Sequence, residues 1–318
     1  MTPADRLTTA PALDGTDRQA ALATLAGIRA WVLDVDGCLM RTAKAGGAGG
    51  EAMPGAADLV NYLHGRGDRV LICTNASQQP PRVYAAHLRE HGIDVPDEDF
   101  VTAGSAAADY ISIHHPGARV LAVGGAGITA SLRATGHEIA DPHETGSTAG
   151  TIADVVLVAA DDAYTSAQLN AAALAVDAGA LLYTTVDVPW FHGGIHKSLV
   201  VSGAVAHAIG WAAGVMPTVL GKPSPALGEA LLHRIGAASG AAASGAGPAA
   251  ASTVAVVGDA IVETQLARSM GATSVLVLTG STTPEKLAQR TGADVPDLSL
   301  PSVADLNALL TTQSTTVS

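Results

Sequence analysis

Short apolar runs alternate along most of the chain with longer segments whose apolar positions recur every three or four residues. Runs such as AWVL, VLIC, VLAV, VVLVA and VAVV predict buried strands, and segments such as ADLVNYLHG and SAQLNAAALAVD predict helices. The strands are continuous apolar runs without polar alternation, which is typical of parallel strands covered by helices on both faces. The pattern therefore predicts an α/β fold with a doubly wound parallel sheet.

Composition and charge narrow the function. The chain has 318 residues, of which 48% are hydrophobic and only 3% aromatic, so Val, Leu, Ile and Ala must build the core. The net charge is −12 without any run of Lys or Arg, which argues against nucleic acid and anionic membranes as partners. Two cysteines form no disulfide framework, and no apolar run approaches the roughly 20 residues of a membrane span. With no apolar leader at the N-terminus, we expect a cytoplasmic protein.

Polar side chains stand where several predicted strands end. They are Asp34, Asp36, Thr74, Asn75 and Asp259, with Lys222 in a loop before a helix. Ligands of open α/β sheets bind at the carboxyl ends of the strands. Since an unpaired charge next to an apolar run is costly, these acids are expected to serve a cation or a proton transfer.

Phosphoryl transfer is the chemistry that uses such a set. A carboxylate such as Asp34 can attack phosphorus and form an aspartyl phosphate. Mg²⁺, held by hard oxygen ligands, and Lys222 would neutralise the phosphoryl charge. Thr74 could donate a hydrogen bond to the phosphoryl oxygens, and Asp36 could protonate the leaving oxygen and then activate water.

The ordered motifs resemble those of a known family. DVDGC at 34–38, TN at 74–75, GKP at 221–223 and VGD at 257–259 follow one another as in the haloacid dehalogenase superfamily of phosphatases. The long interval between TN and GKP is similar to that of the NagD-like group with a C2-type cap, which includes nitrophenyl, phosphoglycolate and pyridoxal phosphatases. The resemblance runs from about residue 28 to about residue 310, and it implies an inserted α/β cap domain that closes over the site.

The resemblance also implies roles for the six residues at the strand ends. Asp34 would be the nucleophile and a metal ligand, Asp36 the general acid/base and a ligand through its carbonyl, Thr74 and Asn75 phosphate-binding residues, Lys222 the residue that orients and stabilises charge, and Asp259 a Mg²⁺ ligand.

Three stretches depart from the family pattern. CLMRTAKAGG follows the first acids with extra residues, Val186 stands in the cap turn where Asn is usual, and GDAIVETQ lacks the second acid of the last motif. Glu263 is the candidate for that missing acid. It would serve either as a further metal ligand, reaching the ion through water, or as a partner that holds Lys222.

Four cap residues are candidate contacts for substrate specificity: Asp187, Trp190, His192 and His196. Pro189 and the Gly-Gly pair between the two histidines predict a loop, in which exposed histidines are the plainer interpretation. The glycine-rich turn at 122–132 lacks a full dinucleotide fingerprint and is interpreted as a cap loop. Cys38 and Cys73 are interpreted as buried hydrophobes, with a redox-sensitive site as the alternative.

The predicted protein is a Mg²⁺-dependent phosphomonoester hydrolase. Its predicted parts are a flexible arm (1–20), a core (21–80 plus 218–318, with a flexible linker at 237–252) and a cap (81–217). Two alternatives remain open, a phosphotransferase or mutase on the same core and a non-catalytic phosphate-ligand-binding protein. The partner would be a small metabolite such as a sugar phosphate, glycerol phosphate, phosphoglycolate, a nucleotide or pyridoxal phosphate. Homodimerisation through the cap is implied by the NagD-like group.

Overall fold

Two parallel sheets organise the chain. The computed structural model describes residues 15–42, 44–47, 49–143, 152–192, 197–238 and 251–314. Its strands are β1 (Ala30–Asp34), β2 (Met40–Arg41), β3 (Glu51–Ala52), β4 (Arg69–Thr74), β5 (Phe100–Thr102), β6 (Val120–Val123), β7 (Val155–Val158), β8 (Leu181–Thr184), β9 (Trp190–His192), β10 (Lys197–Leu199), β11 (Thr218–Val219), β12 (Val254–Gly258), β13 (Thr273–Val277) and β14 (Leu298–Leu300).

Helices connect these strands, as the alternating pattern predicts. They are α1 (Gly15–Leu25), α2 (Ala56–Gly65), α3 (Pro81–Glu90), α4 (Ala103–His114), α5 (Ala126–Ala134), α6 (Ser166–Asp177), α7 (Val201–Ala213), α8 (Pro225–Ala238), α9 (Ile261–Met270), α10 (Pro284–Leu287) and α11 (Val303–Ser314).

The larger sheet, which we call the core sheet, has the strand order β14-β13-β12-β1-β4-β5, and each neighbouring pair is parallel. Successive residues of β1 point to opposite faces. Trp31 and Leu33 pack with α2 and α11, whereas Val32 packs with α8 and α9. Burying one such side chain contributes about 1.5–3 kcal/mol. The predicted α/β fold with a doubly wound sheet is confirmed.

The smaller sheet has the order β11-β8-β7-β6 and is also parallel. We call the unit built on it, residues 120–219, the cap. Val155 packs with α4 and α5 on one face of this sheet, and Val156 packs with α6 and α7 on the other. The cap sheet is therefore covered by helices on both faces and forms a second α/β layer structure, to which α4 contributes from outside residues 120–219.

The sheets do not follow the predicted cap limits of 81 and 217. The strand β5, inside the predicted cap, pairs with β4 of the core sheet, and β11, inside the predicted core, pairs with β8 of the cap. These strands have only two or three residues, which is too short for a periodic signal in the sequence.

Two antiparallel hairpins were absent from the sequence prediction. The first, β2 with β3, encloses the glycine-rich stretch after the first acids, and we call residues 40–52 the flap. In the second, Leu199 lies opposite Trp190. His192 thus ends strand β9 instead of lying in a loop. His196 and the side chain of His192 fall outside the described residues, as do 1–14 of the predicted arm and 239–250 of the predicted linker.

Helix α1 begins at Gly15, inside the predicted arm. Across the described ranges, the chain contains no helix long and apolar enough to span a bilayer.

Candidate active site

The amine of Lys222 lies at the carboxyl edge of the core sheet. Lys222 precedes α8, and its Nζ donates hydrogen bonds to Oδ1 of Asp34, at the end of β1, and to Oε1 of Glu263, in α9, at 2.8 Å. All three side chains are buried. Three separate elements thus bring one ammonium and two carboxylates together away from water.

Burial and charge act in opposite directions on this cluster. Burial alone would lower the pKa of Lys222, but the carboxylates of Asp34 and Glu263 outweigh it, and the pKa is raised well above its usual range. Burial raises the pKa of Asp34, and only the Lys222 ammonium offsets part of this, since Glu263 and Asp259 add repulsion. One ammonium therefore leaves the surrounding acids short of positive charge.

The carboxylate of Asp36 is held by the flap. The backbone N–H of Gly46 donates to Oδ2 at 2.9 Å and that of Gly47 to Oδ1 at 2.8 Å. The hydroxyl of Thr74 donates to Oδ2 at 3.1 Å. Burial raises the pKa of Asp36, and the two glycine N–H groups partly offset that rise. The extra residues after the first acids therefore supply backbone donors to Asp36.

Helix α3 supports the flap from behind. Gly46 has a φ of +79°, and a Cβ there would lie 2.4 Å from Cε1 of Tyr84. His87 Nε2 lies 2.9 Å from the carbonyl oxygen of Gly47. Only glycine combines this backbone conformation with such close contact, so the Gly-Gly pair is required by geometry.

The side chain of Asn75 contacts the backbone of Lys222. Its Oδ1 accepts the Lys222 N–H at 2.8 Å, and its Nδ2 donates to the Lys222 carbonyl at 3.2 Å. The sequence predicts Asn75 as a phosphate-binding residue, whereas the structure engages both ends of its amide in fixing Lys222. The motif alone could not distinguish these partners.

Asp259 is enclosed by a loop that sequence reasoning missed, residues 279–282. The Ser281 N–H donates to the Asp259 carboxylate, and the Thr282 N–H donates to its backbone carbonyl at 3.1 Å. A Cβ on Gly280 would lie 2.0 Å from Oδ2 of Asp259, and one on Gly37 2.7 Å. Burial, with repulsion from Glu263, raises the pKa of Asp259 to about 7. A glycine three residues after the end of β13, Gly280, was the only sequence signal for this loop.

The donor chemistry fits a hard cation. In the part of the chain that the structure describes, no three His, Cys, Asp or Glu side chains are arranged to hold a metal ion. The set that the sequence predicts is different, because it combines the carboxylates of Asp34 and Asp259 with the backbone carbonyl of Asp36. Both carboxylates are buried, which raises the pKa of each, and the charge of Asp259 raises the pKa of Asp34 further. A divalent cation would compensate this negative charge.

Comparison with known proteins identifies the family. Residues 31–138 match the family described as haloacid dehalogenase-like hydrolase, and residues 219–306 match the HAD-hydrolase-like family. The chain is 30% identical over 211 residues to the acid sugar phosphatase of Staphylococcus epidermidis. The aligned residues cover 65% of this chain and 74% of that protein. This chain belongs to the haloacid dehalogenase-like hydrolases.

Solved structures of this family agree with the fold. The p-nitrophenyl phosphatase of Archaeoglobus fulgidus is 26% identical, with a TM-score of 0.72 over 88% of this chain and 98% of that one. NagD from Escherichia coli K-12 is 25% identical, with a TM-score of 0.71 over 87% and 97%. The predicted NagD-like group and the predicted phosphatase-type hydrolase are therefore confirmed.

Two of the predicted specificity residues of this hydrolase are described with their side chains, both in the cap. Asp187 Oδ1 lies 2.7 Å from Nε2 of His207 in α7. Trp190 is half exposed on the β9–β10 hairpin. Neither is part of the Lys222 cluster, and their role in specificity stays a prediction.

The glycine-rich turn at 122–132 has a packing explanation. The Gly127 N–H donates to the carbonyl of Gln78 at 3.0 Å, and a Cβ on Gly127 would lie 2.3 Å from the carbonyl oxygen of Ser77. Small residues at this turn let α5 approach the core loop that follows β4, so no dinucleotide site is needed to explain them.

Both thiols are buried close to the acids. Burial raises the pKa of Cys73 to about 12, and burial with the neighbouring carboxylates of Asp34 and Asp259 raises that of Cys38 well above its usual range. Since the thiolate is the reactive form, these surroundings favour the interpretation as buried hydrophobes over a redox-sensitive site.

The flap geometry predicts different effects for two glycine substitutions. Gly46→Ala should lower kcat/KM for phosphate release by about tenfold or more, because the new methyl meets Tyr84 and displaces a donor to Asp36. Gly49→Ala is the matched control, since Gly49 also has a positive φ, of +67°, but no atom within 4 Å of the added Cβ. Equal losses in both variants would show that backbone strain alone, and not the flap contact, matters.

Proposed function

We propose that this hydrolase is a Mg²⁺-dependent phosphomonoester hydrolase that works through an aspartyl-phosphate intermediate. The observation that carries the proposal is the buried Lys222 amine shared by Asp34 and Glu263. A lysine in this position can compensate the negative charge of a phosphoryl group next to a carboxylate nucleophile.

The reaction would proceed in two steps. An oxygen of Asp34 attacks phosphorus and forms the aspartyl phosphate, while the bond to the leaving oxygen breaks and Asp36 gives that oxygen a proton. Asp36 then takes a proton from water, and the water oxygen attacks the acyl phosphate, which releases inorganic phosphate and restores Asp34. The hydroxyl of Thr74, which donates to Asp36 at 3.1 Å in this structure, would turn to donate to the phosphoryl oxygens when the substrate is bound.

The carboxylates of Asp34 and Asp259 and the carbonyl of Asp36 would hold the Mg²⁺. When bound, the cation supplies charge neutralisation for the phosphoryl oxygens. Asn75 keeps Lys222 in place by its two backbone contacts, so its contribution to phosphate binding would be indirect.

The substrate would be a small phosphorylated metabolite. The name of the Staphylococcus epidermidis relative, acid sugar phosphatase, supports a sugar phosphate among the candidates. Asp187, Trp190, His192 and His196 of the cap would contact the leaving group. The name of the Archaeoglobus fulgidus phosphatase supports p-nitrophenyl phosphate as an assay substrate.

Replacing the nucleophile tests the mechanism. Asp34→Asn keeps the size of the side chain but removes its nucleophilic charge, so kcat for p-nitrophenyl phosphate should fall by at least about 10³-fold. Phosphate release is the measurement, and circular dichroism of the variant checks its fold. Turnover within a few fold of wild type in a folded variant would refute the proposed role of Asp34.

A second substitution separates the two roles predicted for Glu263. The carboxylate contacts the Lys222 amine at 2.8 Å and the Ala260 N–H at 3.1 Å, which supports the role of holding Lys222. We expect Glu263→Gln to lower kcat by about tenfold or more and to leave the Mg²⁺ concentration for half-maximal activity unchanged. Asp259→Asn is the comparison variant, and it should raise that concentration. A similar rise in Glu263→Gln would make Glu263 a metal ligand.

We also propose that the protein forms a homodimer through the cap. Trp211 in α7 and Met216 after it are 86% and 72% exposed. The pairing of Thr218 with Tyr183 brings the segment before β11 beside the exposed Leu181 at the start of β8. These side chains form an apolar surface at the end of the cap sheet opposite the Lys222 cluster, and exposed surfaces of this kind mark interfaces.

The double substitution Trp211→Ser and Met216→Ser should convert the dimer to a monomer in light scattering coupled to gel filtration. Val295→Ser, which changes an exposed apolar residue near the core sheet, is the control and should leave the dimer intact. A monomeric wild-type protein would refute the proposed interface.

A further inference from the structure

The loop that follows β4 joins the core to the ends of two cap strands. Ser77 in this loop is only 1% exposed. Its hydroxyl oxygen accepts the Ala160 N–H, just beyond β7, at 3.0 Å. The same oxygen lies 3.1 Å from the hydroxyl oxygen of Thr185, directly after β8, which is completely buried. A core residue is therefore hydrogen-bonded to the cap at two strand ends.

The residue that follows β8, Thr185, also lies against the backbone next to Lys222. A Cβ on Gly221 would lie 2.0 Å from the carbonyl oxygen of Thr185 and 2.9 Å from Oδ1 of Asn75. Strand β11 runs into this position along β8, and the Leu220 N–H donates to the carbonyl of Thr184 at 2.8 Å. The backbone before Lys222 is thus enclosed between a cap strand and the asparagine that holds Lys222.

One short path connects the hydroxyl pair to the amine. Ser77 lies two residues after Asn75, and Asn75 bonds both backbone polar groups of Lys222. Thr185 lies against Gly221, the residue before Lys222. A shift of Ser77 would therefore displace Asn75, which bonds the Lys222 backbone. A shift of Thr185 would displace the carbonyl that lies against Gly221.

We propose that Ser77 and Thr185 are positioning residues for Lys222, and that the position of the cap strand β8 sets the distance between the Lys222 amine and Asp34. The inference rests on the proposed function in so far as Lys222 acts on the phosphoryl group. The cap would then help to position Lys222, a residue of the core, in addition to covering the site. A displacement of a catalytic group by about 1 Å can lower the rate of the reaction by about 10²-fold.

Kinetics on p-nitrophenyl phosphate test the proposal. Ser77→Ala and Thr185→Val each remove one hydroxyl, and each should lower kcat by about 10- to 100-fold while KM changes by less than about threefold. Thr185→Ser keeps the hydroxyl and should restore most of kcat. Ser274→Ala removes a hydroxyl of equal burial in β13, where it bonds Asp297, and should leave kcat unchanged. A change in KM alone, or no rescue by serine, would overturn the proposal.

A double-substitution cycle separates positioning from general loss of stability. In a Lys222→Met background, Ser77→Ala should have no further effect on the residual kcat, because its effect passes through Lys222. The same fold loss in both backgrounds would contradict the proposal.

Hydrogen exchange gives a readout that does not depend on activity. In Ser77→Ala, amide exchange of the peptide covering 219–224 should accelerate by at least about fivefold relative to wild type and to Ser274→Ala. Unchanged exchange in this peptide would refute the proposed positioning role of Ser77, even if Lys222→Met cannot be purified. If wild type released no phosphate but the exchange result held, the proposed function would fail and the structural coupling would stand.

Discussion

A buried lysine shared by two carboxylates is the constraint on which the rest of the site depends. An isolated ammonium in this place would be strongly unfavourable, and removing one partner of a buried pair typically costs about 3–5 kcal/mol. The burial of the Lys222 ammonium therefore depends on its ion pairs with both Asp34 and Glu263, and the burial of these carboxylates depends on Lys222. Because the three residues come from the loop before α8, from β1 and from α9, the cluster fixes this loop, this strand and this helix relative to one another. The flap, the loop at 279–282 and the cap strand β8 are all arranged around this fixed point.

The last motif departs from the family pattern without leaving a gap in this arrangement. Glu263 is one methylene longer than aspartate, and its second oxygen accepts the Ala260 N–H at 3.1 Å, so the side chain is held at the first turn of its own helix. A carboxylate there also interacts favourably with the amino end of α9. The structure thus pairs this acid with the ammonium of Lys222, whereas burial and the charge of Glu263 raise the pKa of Asp259 to about 7.

The sequence predicted β1, β4 and β12 of the core sheet well because each is a continuous apolar run that leads into polar residues. The acids and Lys222 followed from their order along the chain. The partners of those residues could not be predicted. Asn75 bonding Lys222, Ser77 meeting Thr185 and Gly46 meeting Asp36 are contacts between segments 10 to 147 residues apart, and they depend on loop conformations without periodicity. The very short strand β5 escaped prediction for the same reason. The sequence did predict a short strand at β11, but its pairing with the cap strand β8 carries no sequence signal, so the limits of the cap were missed.

The flap holds Asp36 through backbone N–H groups, and those groups are the same in every residue type except proline. Side chains in this stretch, such as that of Lys44, can therefore change during evolution while the grip on Asp36 persists. What must be retained is the path of the backbone, which here means glycine at the positions of positive φ. Family members that differ in flap sequence can thus orient this acid in the same way. Sequence identity within the flap is therefore a poor guide to whether the flap has the same role.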